Sequence, residues 1–142
     1  MSFNIEQRER DGVPILGLNG RLVVGDPVDR LRVKLLAMLE AALTSGRRAV
    51  VLDCRETSYI DSSALGLLVL AHSRAMKMEG KLPIFGLSRR GLELLILTKL
   101  STVFELYDDE ISAVNSCFAD RTAKPFDILE FVQRKRKEDA GQ

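Results

Sequence analysis

The chain has 142 residues, 21 Lys+Arg against 20 Asp+Glu, and 46% hydrophobic residues. A chain of this length buries roughly 68–70% of its unfolded surface, so one domain can build a core without metals or disulfides. The net charge of +1 with this apolar content argues against disorder, and against a protein whose main task is gripping nucleic acid by charge.

Phe3–Arg10 alternates apolar and polar residues, and Asp11-Gly12 separates it from Val13-Pro14-Ile15-Leu16-Gly17-Leu18, which predicts a β-hairpin. Pro14 cannot donate to a ladder and belongs at the start of its strand or on an open edge. Asp26-Pro27-Val28-Asp29 then opens a helix, with Asp26 as its cap and Pro27 in the first turn. Val28, Leu31, Leu35, Met38, Leu39 and Ala42 recur at helical spacing up to a stop at Gly46. Ala49–Cys54 is a short apolar run, the mark of a strand covered on both faces. After a loop, Ser62–Glu79 reads as a second helix ended by Gly80. Leu82–Phe85 is a third buried strand. Ser88 caps a helix to about Lys99, with Leu92, Leu95 and Ile96 inward. Val103–Tyr107 is a last short strand, and Asp108-Asp109 opens a helix carrying Ile111, Val114 and Phe118. Strands alternating with helices imply right-handed crossovers and an α/β fold. The expected architecture is a mixed, mostly parallel sheet with one antiparallel strand from the hairpin and about four helices. Residues 119–125 read as a linker and Phe126–Lys137 as an amphipathic helix ending in Arg134-Lys135-Arg136-Lys137, which suits a solvated helix C-terminus.

Cys54 and Cys117 form no Cys-x-x-Cys pair and read as small buried hydrophobes of a reducing compartment. The N-terminal residues lack a signal-peptide pattern, and the longest apolar run, Ala64–Ala71, is far short of the ~20 residues of a membrane span. A cytoplasmic location and no membrane span are therefore expected. Enzyme chemistry finds little support. The single histidine, His72, falls inside the second helix without a ligand cluster, and reads as a helix-face residue with a hydrogen-bonded or exposed ring. The glycines give neither a phosphate loop nor a dinucleotide fingerprint. Asp53 and Asp61 are the one carboxylate pair near strand ends and lack the further ligands a magnesium site needs. No cofactor, metal or catalytic residue is expected.

One constellation stands out. A buried strand runs into Tyr59-Ile60, and Asp61-Ser62-Ser63-Ala64-Leu65-Gly66 then starts a helix. At the carboxyl end of a parallel strand, hydroxyls lie in the accessible crevice outside the sheet. In purely structural terms Asp61 or Ser62 caps the helix and Ser63 is a small first-turn residue. The surroundings add a resemblance. The opening hairpin, Leu18-Asn19-Gly20-Arg21-Leu22, Val50-Val51-Leu52-Asp53, Tyr59–Gly66 and Gly80-Lys81-Leu82 occur in the order found in the STAS family. The chain is similar in particular to the bacterial anti-sigma factor antagonists, over about residues 3–118. Residues 1–118 would form the STAS domain and 119–142 a linker and helical tail outside it.

The resemblance implies a partner-switching protein rather than an enzyme. Its partners would be an anti-sigma factor that is also a serine kinase of the histidine-kinase-like ATPase type, and a serine phosphatase. The second serine of the pair, Ser63, would be the phosphorylated residue, with Ser62 the alternative. The partner surface would comprise Asp26, Asp61, Ser62, Ser63, Leu65 and Gly66. Unphosphorylated chain would bind the anti-sigma factor and release a sigma factor, and phosphorylation would abolish binding. The loop Val23-Val24-Gly25-Asp26-Pro27 departs from the family's pattern of Leu-Asp directly before a helix, and Asp26 is the best match to that aspartate. The tail is free to pack on the domain, contact a partner or mediate self-association. A STAS subunit of a stress-signalling or lipid-transport assembly, never phosphorylated, is the alternative within the fold, and a small nucleotide-binding or hydrolytic α/β enzyme the alternative outside it.

Overall fold

The structure is a computed structural model and describes residues 2–141. Strands β1 (Asn4–Arg10) and β2 (Val13–Leu22) form the predicted antiparallel hairpin. Asp11 and Gly12 both take positive φ, 53° and 82°, the two-residue turn whose twist matches the flanking strands. Helix α1 (Asp26–Ser45) leads to β3 (Val51–Asp53), and β4 (Thr57–Ile60) precedes α2 (Ser62–Lys77). Then follow β5 (Ile84–Phe85), α3 (Arg89–Leu97), β6 (Leu106–Tyr107), α4 (Glu110–Asn115) and α5 (Ile128–Ala140). The sheet order is β1-β2-β3-β5-β6, with β4 pairing β2, and every pairing except β1–β2 is parallel.

Alternation along the strands divides the core in two. Leu16, Leu18, Leu22, Leu52, Ile84 and Leu106 point to the face covered by α1, α2 and α3. Val13, Ile15, Val51, Phe85 and Tyr107 point to the other face, where α4 supplies Ala113 and Val114. Burying a side chain of this size contributes roughly 1.5–3 kcal/mol, so the first face carries most of the stability. Pro14 lies at the start of β2, ahead of the Ile15–Val51 register pair, so its missing N–H removes nothing from the β2–β3 ladder.

Several local expectations change. Tyr59 and Ile60 belong to a strand, not to a loop: β2 is long enough to pair with β3 through Ile15–Gly17 and then with β4 through Gly20–Leu22. A register shift at Gly20, φ 115°, re-aims the second half. Asp26 does not cap α1. Gly25, φ 102°, is the N-cap, and Asp26 sits one residue inside, where its Oδ2 accepts from Arg30 Nε at 2.8 Å. Helix α4 stops at Asn115, Ile111 is exposed, and Phe118 lies beyond the helix between the guanidiniums of Arg47 and Arg121, at 4.7 and 3.8 Å from its ring centre. His72 packs edge-on against Phe104, centroids 5.7 Å apart; its Nδ1 is buried without a hydrogen-bond partner, while the residue as a whole is partly exposed. Cys54 is buried as expected, which pushes its thiol up to about 12, whereas Cys117 is only partly buried.

The tail packs on the domain. Phe126 N–H donates to Leu106 O at 2.8 Å and Pro125 bridges Tyr107, so the chain closes the β6 edge with its own backbone. Phe126, Ile128 and Phe131 rest on the main core. Arg134-Lys135-Arg136-Lys137 does not end its helix, which continues to Ala140. Arg134 pairs with Glu130, and Lys135 reaches Glu93 of α3 at 3.4 Å.

Candidate functional site: the amino-terminal ends of α1 and α2

The C-terminal ends of β2 and β4 lie side by side, through the Leu22–Ile60 register pair, and deliver the chain to the first turns of α1 and α2. Three contacts fix this junction. Thr57, itself buried, donates from Oγ1 to Leu18 O at 2.6 Å; Gly20 N–H donates to Glu56 O at 2.9 Å; and Asp61 N–H donates to Leu22 O at 3.3 Å.

Asp61 is the hinge of the arrangement. Its Oδ1 accepts from Ala64 N–H at 2.9 Å, the N-cap bond of α2. Its Oδ2 accepts from Val24 N–H at 2.8 Å, so one carboxylate ties the start of α2 to the loop before α1. Partial burial works to raise its pKa, but the amides of Ala64, Val24 and Ser63 outweigh it and hold the carboxyl below its ordinary value. Asp61 is thus an ionised cap whose two oxygens are both engaged by backbone amides.

Ser62 and Ser63 are the first two residues of α2. Ser62 is exposed and lines a cleft of about 330 Å3 between α2 and α3, whose walls include Tyr59, Leu65, Arg90 and Leu94. Ser63 is half-buried and outside that lining. Leu65 is buried, 6% exposed, and anchors the first turn to the core. Gly66 is exposed, and a Cβ built on it would meet nothing within 4 Å. Internal packing therefore gives no reason for a glycine that weakens a helix by roughly 0.8–1.0 kcal/mol relative to alanine. Asp26 stands exposed on the neighbouring helix end, beside Val24, which is 68% exposed. These residues make one surface patch: two helix starts, two hydroxyls, an open glycine and an apolar side chain. Val24 and Tyr59 also belong to it, although neither is among the expected partner-surface residues. The contact of the Tyr59 ring with the Arg21 guanidinium, 4.7 Å from its centre, follows from placing β4 beside β2.

Asp53 stands elsewhere. It lies at the end of β3 and takes Arg8 Nη2 at 2.9 Å and Arg55 Nη2 at 2.7 Å. Burial alone would raise its pKa, and the Arg55 and Arg8 hydrogen bonds reverse the direction and lower it. Glu110, held by Arg8 and Arg10, is likewise lowered. With Asp61 bound to amides and Asp53 to arginines, the two carboxylates do not converge. Among the described residues no group of three or more His, Cys, Asp and Glu is placed to hold a metal ion, and no helix is long and apolar enough to cross a membrane.

A family model of the STAS domain matches residues 4–113. The chain belongs to the STAS family. It is 29% identical over 110 residues to the anti-sigma-B factor antagonists of Listeria monocytogenes and Listeria innocua, covering 78% of this chain and 91% of each relative. Among solved structures, an anti-sigma factor antagonist from Mycobacterium paratuberculosis superposes with TM-score 0.70 at 19% identity, over 82% of this chain and 94% of that one. The Bacillus protein SpoIIAA in its phosphorylated form superposes with TM-score 0.58 at 19% identity, over 82% of this chain and all of that one, 100%. At such identities the structures establish the shared STAS fold. The N-terminal antiparallel hairpin, the mostly parallel sheet and the five helices agree with that reading.

Proposed function

We propose that this STAS protein is an anti-sigma factor antagonist that acts as a phosphorylation-controlled binding module. In its unphosphorylated form it binds an anti-sigma factor of the kinase type through the patch formed by Val24, Asp26, Asp61, Ser62, Ser63 and Gly66, with the buried Leu65 holding that turn in place from beneath, and a sigma factor is released. Phosphorylation of Ser63 ends the complex, and a serine phosphatase restores it. The observation that carries the reading is Gly66: an exposed glycine in the second turn of a helix, unnecessary for packing, beside two hydroxyls at the helix start. The Listeria relatives are named for anti-sigma-B antagonism, and SpoIIAA is described in both unphosphorylated and phosphorylated forms, which supports the same reading.

The helix start suits such a switch. A phosphate on Ser63 adds about −1.5 to −2 charges where orphan N–H groups and the helix dipole favour an anion, so the fold tolerates it. The same charge lands beside the ionised Asp61. A partner surface fitted to a neutral hydroxyl then meets bulk, repulsion and a desolvation penalty. A loss of about 3 kcal/mol weakens binding more than a hundredfold. The test is a paired capture from cell extract with Ser63→Ala and Ser63→Glu chains. A kinase-type ATP-binding protein retained by the alanine chain alone supports the switch. The same partners on both, with no kinase, would move the protein to the reading of a constitutive STAS subunit.

A further inference from the structure

The two edges of the sheet are treated differently. The β6 edge is closed by the chain's own segment at Pro125-Phe126, whereas the β1 edge is uncovered. We infer that β1 is the contact through which two copies of this chain associate, by antiparallel β1–β1 pairing centred on Gln7. The inference is independent of the phosphorylation switch, because β1 contributes none of the residues of the α2 start.

The backbone sets which groups are available. In a two-residue hairpin the flanking pair, here Arg10 and Val13, exchanges both hydrogen bonds, and bonded and non-bonded pairs then alternate. Arg8, Glu6 and Asn4 therefore turn their polar backbone groups toward β2, while Ile5, Gln7 and Glu9 turn theirs outward. Pro14 fits this phase, since it faces Glu9 in a non-bonded pair where no N–H is required. Two β1 strands can satisfy the outward groups only in registers that set odd-numbered residues against each other. Centring on Glu6 or on Arg8 opposes like charges. Centring on Gln7 sets Gln7 against Gln7, Ile5 against Glu9, and Glu6 against Arg8, twice.

Charge favours that register. On the α4 side of the sheet, Arg8, Arg10 and Arg55 share only Asp53 and Glu110, three cations against two anions. The second copy's Glu6 arrives opposite Arg8 and diagonal to Arg10, where cross-strand side chains interact, and balances the cluster. Glu6 is exposed and, among the described residues, has no ion-pair partner. On the α1 side, the edge is flanked by open grooves lined by Ile5 and Val33 and by Gln7, Met38 and Ala41, apolar area that the second copy would cover. Charged edge residues usually discourage pairing; here they alternate in sign so that one register is attractive.

Sedimentation velocity on the full chain tests this, from about 10 µM to about 1 mM, the range of a weak, small interface. The wild type is expected to shift reversibly from monomer to dimer. Glu6→Arg sets like charges against Arg8 and is expected to weaken association about tenfold or more. Gln7→Pro removes an outward N–H that β2 does not use, so it is expected to abolish the dimer while the melting transition and circular dichroism stay native. A wild type that stays monomeric at about 1 mM overturns the inference, even if an added extended peptide then protects the β1 amides. So does a dimer that both folded variants leave unchanged.

Discussion

Gly66→Ala separates the demands of folding from those of binding. The added methyl meets nothing within 4 Å, and the residue lies inside α2, so the substitution removes only the glycine's unfolded-state entropy and its exposure of backbone. The expected stabilisation is about 0.5–1 kcal/mol. For a chain of this size that corresponds to a rise in Tm of about 2–4 °C, measurable by calorimetry. The same methyl stands on the surface that the partner is proposed to cover, so affinity for the captured kinase partner is expected to fall about tenfold, the effect of roughly 1.4 kcal/mol of lost fit. An unchanged or lower Tm would refute the claim that the fold has no use for this glycine. A higher Tm with unaltered binding would remove Gly66 from the interface.

Other substitutions probe the scaffold. Gly80 is the reverse case: a Cβ there would lie 2.4 Å from Leu43 Cδ2 and 2.8 Å from Arg48 O, so Gly80→Ala is expected to destabilise by about 1–3 kcal/mol, read from the urea midpoint. Asp61→Ala loses the α2 cap and the Val24 tie, and is expected to lose about 1–2 kcal/mol with increased exchange of the Val24 and Ala64 amides. Asp53, Asp61 and Glu110 all have lowered carboxyl pKa values in the folded chain. Their contribution is complete above the unfolded carboxylate values of about 4 and is lost as pH falls through the lower folded values. Tm is therefore expected to be level above about pH 5 and to drop on further acidification; a flat profile to about pH 2.5 would contradict the ionised cap and the arginine cluster.

The long-period features of this chain were readable because the sequence pattern and the fold agree. The α1 face, the Gly46 stop (φ 92°), the Ser88 cap and the Asp-Gly hairpin each have a local cause. What escaped depends on contacts distant in sequence. β4 has only four residues, and becomes a strand because β2 outruns β3 and offers it a ladder. Gly25 caps α1 in place of Asp26 because the Val24 amide is drawn to Asp61, 37 residues away. The tail's role as cover for the β6 edge rests on Phe126, whose apolar character was visible but whose target was not. At the site, Asp61 was legible as a cap, whereas its second bond to Val24, and with it the joining of two helix starts into one patch, required the folded chain.

Whether Ser63 is the switch is decided by phosphosite mapping coupled to affinity. Wild-type and Ser63→Ala chains are incubated with the captured kinase partner and ATP, mapped by fragment mass spectrometry, and titrated against the partner before and after. A Ser63 switch yields one phosphate, on Ser63, none on the alanine chain, and binding more than a hundredfold weaker once Ser63 is modified. Phosphate on Ser62 or elsewhere, or a Ser63-phosphorylated chain that binds as tightly as the unmodified one, would contradict it.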